Sequence, residues 1–151
     1  MRKVALFAVV MALAVAGFAL AQAKPDFSGT WAPKVDANAP APPAGGGGRG
    51  GGMAGPMTIK QSGAELAITR GQNTSTYKLD GTESINKTQR GESKSTAKFD
   101  GAKLVIKTTM EGPNGPTETT ATWSLSADGK ELTIETVRAG GNPRSMVYTK
   151  Q

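Results

Sequence analysis

From Met57 onward, glycine-centred turns interrupt the chain about every ten residues. They fall at Ser62-Gly63, Gly71-Gln72, Asp80-Gly81, Arg90-Gly91, Asp100-Gly101, Glu111 to Pro116, Asp128-Gly129 and Gly140 to Pro143. Between them lie short runs rich in Thr, Ile, Val and Tyr. Asp-Gly pairs suit the positive φ angles of tight hairpin turns. Short strands at such even spacing are the pattern of an all-β antiparallel meander. Nothing after residue 24 carries a sustained helical period. Two segments echo one another, Lys78 to Thr88 with Lys98 to Thr108, and Ser62 to Ile68 with Asp128 to Ile134. Hairpins that share turn chemistry look alike, so the repeating unit is one hairpin rather than a domain.

Period-two alternation assigns one face of each strand to the interior. That face holds Met57 with Ile59, Leu66 with Ile68, Tyr77 with Leu79, Ile85, Ala97 with Phe99, and Leu104 with Ile106. Trp123 with Leu125, Leu132 with Ile134, and Met146 with Tyr148 complete it. The residues between, such as Lys60, Lys98, Lys107 and Glu135, form a wet face. One apolar face per strand means an antiparallel sheet around a single core. An open sheet of about eight or nine strands would leave long edges, so the up-and-down meander is expected to close into a barrel or fold into a sandwich. Extending the register puts Asn73 and Ser75 beside Tyr77, Ser93 and Ser95 beside Ala97, and Thr117 and Thr119 beyond Ala121. Either the interior is apolar at one end with a polar cavity near the mouth at the other, or the strands simply protrude beyond the core there and enclose no cavity.

Ahead of this region the texture is different. Arg2 and Lys3 precede an uncharged apolar run from Val4 to Leu20, and Ala21-Gln22-Ala23 offers small residues for cleavage before Lys24. That is the three-part form of a secretory signal. The expectation is a signal peptide at 1–23, a single domain at 24–151, and a periplasmic or extracellular location without stable membrane insertion. An uncleaved anchor is the alternative, because the run approaches a spanning length. Residues 40–56 hold eight Gly and four Pro. Such a stretch buries too little apolar surface to offset its ordering entropy and reads as a disordered loop.

Several chemistries are excluded by composition. There is no Cys and no His, so thiol nucleophiles, thiolate or imidazole metal sites and His-based triads are absent. No carboxylate pair or calcium-loop ladder stands out, and no metal or cofactor is expected. Without Arg2 and Lys3 the bases fall to 16 against 12 acids, spread singly, which argues against nucleic acid as a partner. Asn73-Thr-Ser75 and Asn86-Lys-Thr88 fit the glycosylation sequon, which matters only on a eukaryotic secretory route. The reading is a non-enzyme.

The opening Asp26-Phe27-Ser28-Gly29-Thr30-Trp31 is the most informative segment. Gly29-Thr30-Trp31 resembles the G-x-W motif that starts the first strand of lipocalins and related calycin barrels. Pro25 to Trp31, the following Gly-rich stretch and the later Trp123 to Lys130 segment together resemble a group of small exported bacterial proteins described as lipocalin-like. The resemblance implies a lipocalin-like barrel in which Trp31 plugs the closed end, with Gly29 beside it and a basic residue from the last strands, Arg144 or Arg138, over the indole. A second lipocalin motif and a C-terminal helix are missing, and two Trp residues are too few for a biotin site of avidin type.

Two functions remain open at this point. One is non-covalent binding of a small ligand inside the barrel, with Tyr77, Phe99, Trp123 and Tyr148 as wall and Asn73, Ser75, Ser95 and Thr119 as polar contacts. The other is an envelope interaction module with a filled barrel and no small ligand.

Overall fold

A computed structural model of the protein describes residues 24–34, 55–88 and 91–151. The expected signal peptide and all but the last two residues of the expected 40–56 loop lie outside them, as does Arg90 of one expected turn. The described residues form ten strands: β1 (Gly29–Pro33), β2 (Met57–Gln61), β3 (Glu65–Arg70), β4 (Asn73–Lys78), β5 (Asp80–Thr88), β6 (Gly91–Asp100), β7 (Lys103–Gly112), β8 (Gly115–Leu125), β9 (Glu131–Arg138) and β10 (Arg144–Lys150). They make one sheet in the order β4-β3-β2-β1-β10-β9-β8-β7-β6-β5, with every described pairing antiparallel. The all-β antiparallel meander is therefore as the alternation implies, and of the barrel and the sandwich it takes the barrel. The strand count is ten rather than eight or nine, because Gly29–Pro33 pairs on both sides and the chain divides at Leu79 into β4 and β5.

Among the described strands, the one place where consecutive strands do not pair through their backbones is between β4 and β5. Side chains of β5 bridge this seam instead. The Asn86 amide accepts from the Thr76 N–H at 2.8 Å and donates to the Thr76 carbonyl at 3.0 Å. The Ser84 hydroxyl accepts from the Lys78 N–H at 2.8 Å. A carboxamide presents one acceptor and two donors, so Asn86 stands in for the peptide group that a paired strand would offer. Both side chains are buried.

These residues reach the seam because of a register shift. Two steps along β6, from Lys98 to Thr96, match three along β5, from Asp80 to Glu83. One extra residue inverts the faces of everything that follows it. Ser84 and Asn86 thereby turn inward, and Ile85, expected in the core, is 56% exposed. Gly81, with φ of +86°, belongs to this irregularity and not to a hairpin turn. The Lys78–Thr88 echo of Lys98–Thr108 thus differs in structure, because Asp100-Gly101 does close the paired hairpin of β6 and β7.

The remaining inward residues follow the alternation. Met57, Ile59, Leu66, Ile68, Leu79, Ala97, Leu104, Ile106, Ala121, Trp123, Leu132, Ile134 and Tyr148 form one buried cluster together with Phe27 and Trp31. Tyr77, Phe99, Leu125 and Met146 pack against it.

Candidate functional site

The barrel has two unlike ends. One is closed by the opening segment. Phe27 is fully buried there, stacked on Phe99 with ring centroids 6.4 Å apart and edge-on to Trp123 at 5.9 Å. Gln61 fastens the segment: its side chain accepts from the Phe27 N–H at 3.0 Å and donates to the Pro25 carbonyl at 2.9 Å. The Gln61 N–H donates to the Ser28 hydroxyl at 3.0 Å. Trp31 is fully buried and its indole N–H donates to the Phe27 carbonyl at 2.9 Å. Hydrogen bonds from Ser28 hold the Asp26 carboxyl below the usual aspartate range, and the charge of Lys150 adds to the effect.

The cation over Trp31 is Lys150, 5.5 Å from the ring, and neither Arg144 nor Arg138. Register explains the correction. Trp31 pairs with Lys150 at the last turn of the sheet, whereas Arg144 opens the same strand at the far end, opposite Thr136. Gly29 makes the approach of Lys150 tolerable, since a Cβ there would lie 2.6 Å from Lys150 Cε. Its φ of +142° also belongs to a region that side chains avoid. Gly29→Ala is expected to lower stability by about 1–2 kcal/mol. The lysine tip can swing aside while the backbone angle cannot, so adding Lys150→Ala should not restore the loss. Recovery in that double variant, read by chemical denaturation, would show contact rather than backbone strain to be the cause.

The other end is polar and open. Inward positions here include Arg70, Ser75, Tyr77, Thr108, Met110, Thr119, Thr136 and Met146, and each is only partly buried. Ser93 and Ser95, the β6 partners of Met110 and Thr108, are buried; Ser95 shares a 2.9 Å hydrogen bond with Thr108, and Ser93 donates to the Asn86 carbonyl at 3.2 Å. Arg70 ends β3 and turns toward this space. One of its terminal nitrogens donates to the Met57 sulfur at 3.1 Å, a weak acceptor. Its Nε is shielded from solvent with no acceptor.

The two tyrosines of the chain, Tyr77 and Tyr148, both lie near Arg70. Burial pushes each phenol above its ordinary value of 10.0. For Tyr77 a Ser75 hydrogen bond and the Arg70 charge pull the other way; for Tyr148 the charge and a hydrogen bond of Arg70 do so. A raised folded-state value means the neutral phenol is favoured by folding. That contribution is complete below the unfolded value and is lost as pH rises through the folded one. Phenolate absorbance of the folded protein should therefore rise only above pH 10.0 and shift back toward that value in denaturant. A native titration at the ordinary value would contradict the placement of both rings.

The residues expected to form a site are thus divided. Tyr77 and Tyr148 lie near Arg70, and Ser75 hydrogen-bonds with Tyr77. Ser95 and Thr119 lie on the β6 and β8 walls of the same end, and Asn73 is exposed on its rim, opposite Arg70. Phe99 and Trp123 belong to the plugged end with Phe27. Sequence reasoning missed Phe27, Asn86, Lys150 and Arg70. Phe27 sat inside the quoted opening motif, and Arg70 falls on the inward register of Leu66 and Ile68, so both were within reach of the alternation argument.

Outside the barrel, β5 to β8 form a groove of about 460 Å³. Its cations Lys94 and Lys107 alternate with Glu83, Glu111 and Glu118, so it carries no single charge preference.

No protein-family model matches the sequence, and no curated protein does. Among solved structures, the chain is similar to the crystal structure of secretory abundant heat soluble protein 4 from Ramazzottius varieornatus. The TM-score is 0.57 at 18% identity, over 83% of this chain and 94% of that one. The likeness is one of fold. It covers the barrel and carries no statement about a ligand.

Proposed function

We propose that the protein is exported and binds a small ligand non-covalently in the polar, open half of its barrel. The observation that supports this most is the set of inward-facing residues around Arg70, Thr119 and Met146 that solvent still reaches. A barrel serving only as a filled scaffold has no need of an accessible inner wall, whereas ligand sites combine such a wall with a few converging polar groups. The resemblance of the opening motif to lipocalin-like exported proteins agrees with this reading. Native mass spectrometry of the protein from its own host tests it. The expected spectrum shows a chain beginning at Lys24 with added mass from a retained small molecule. A bare chain that no member of a metabolite library stabilises would overturn the reading.

The filled apolar half favours the second function, an envelope interaction module. A protein that co-purifies in place of a small molecule would decide for it.

A further inference from the structure

We propose that the occupant of the open half is a small anion, its carboxylate, phosphate or sulfonate group held by Arg70 with Arg138 and Arg144 at the rim. The proposal rests on the ligand-binding reading above and names the chemistry of that ligand.

The sorting of charge between the two faces of the sheet carries it. None of the described strands places an Asp or Glu on its inward face. Lys60, Lys78, Lys94, Lys98, Lys103 and Lys107 all point outward, three of them paired with acids (Lys78 with Glu65, Lys98 with Asp80, Lys103 with Asp100), and the one lysine on the inward register of a described strand, Lys150, stands at the sealed end opposite Trp31. The arginines do the reverse. Arg70 follows Leu66 and Ile68, Arg138 follows Ile134 and Thr136, and Arg144 precedes Met146 and Tyr148 on the inward register. All three stand at the open end, because β3 and β9 finish there and β10 begins there.

Arg70 is the centre of the set. Its guanidinium is half-buried, makes no ion pair among the described residues, and has one N–H without an acceptor. A partly desolvated cation in that state lacks the compensation that buried charges ordinarily find in a paired anion. The planar guanidinium is also the side chain best matched to a bidentate oxyanion. Beside it, the partly buried Tyr77 and Met146 provide an apolar and polarisable wall for the body of the ligand, while the fully buried Met57 and Tyr148 contact the guanidinium itself.

Two fluorescent probes with the same aromatic body separate the possibilities: anilinonaphthalene sulfonate, which is anionic, and N-phenylnaphthylamine, which is uncharged. Both are titrated into protein purified from cells expressing the full sequence. The sulfonate should bind about tenfold or more tightly than the uncharged probe, the scale of one charge-assisted hydrogen bond. In Arg70→Gln the ratio of the two affinities should collapse toward one, and Arg70→Lys should restore part of it. If Arg70→Gln does not unfold cooperatively, the exposed pair Arg138→Gln/Arg144→Gln gives the same reading as a smaller fall in the ratio. Equal affinities in the native protein, or an unchanged ratio in these variants, would overturn the anion while leaving a ligand site intact. Binding of neither probe would overturn the ligand-binding reading beneath it.

Discussion

Trp31→Ala should lower the free energy of unfolding by about 3–5 kcal/mol, the range for truncating a large buried aromatic side chain. Three contributions are removed together. The indole is fully buried, so its loss leaves a cavity under the opening segment. The Phe27 carbonyl loses the donor at 2.9 Å that it has in the interior. Lys150 loses the ring face beneath its ammonium. That last contact is exposed on the lysine side, where such pairs contribute only about 0.5–1 kcal/mol, so Lys150→Met should have a small effect beside Trp31→Ala. Urea titration of both variants measures the difference. A loss below about 1 kcal/mol for Trp31→Ala would mean that the opening segment does not plug the barrel.

Asn86→Leu should cost about 2–3 kcal/mol and should act at the seam. The substitution keeps the bulk and removes both hydrogen bonds to the Thr76 backbone. Each buried polar group left without a partner costs about 1–3 kcal/mol; Thr76 is exposed on its outer side, so water recovers part of the loss. Asn86→Asp separates the two bonds. A carboxylate can still accept from the Thr76 N–H but cannot donate to the Thr76 carbonyl. Hydrogen exchange at the Thr76 amide should therefore accelerate strongly in Asn86→Leu and less in Asn86→Asp, while amides of the β7–β8 ladder stay protected. Uniform acceleration across the sheet would show that the seam has no separate identity.

The contrast between these two residues shows where the sequence was readable. Leu66, Ile68, Leu104, Ile106, Leu132 and Ile134 sit in regular antiparallel ladders, where side chains alternate strictly and the face can be read directly. Alternation fails at Ile85 because one extra residue between Asp80 and Glu83 resets the phase, and Asp-Gly reads equally well as a hairpin turn. Asn86 was then legible only as a sequon residue. Its bridging role depends on a strand that lies beside it without pairing, which no local pattern records. Lys150 was missed for a related reason: which basic residue meets Trp31 is decided by the β1–β10 register, a contact between the two ends of the domain. Of the expected ligand contacts, Tyr77 and Tyr148 meet through Arg70, whereas Phe99 and Trp123 are drawn to the other end by Phe27. Periodicity assigns a face, but it does not say which end of the barrel a plug will fill.

The central claim is an interior reachable from one end and sealed at the other. The chain has no cysteine, so single cysteines placed on the inner wall can be labelled without background. Thr119→Cys and Met110→Cys probe the open end, and Ala97→Cys and Leu104→Cys probe the sealed half. A small charged methanethiosulfonate reagent should modify the first two in the folded protein and the second two only after unfolding. Protection of all four, or equal reaction of all four in the native state, would contradict the account.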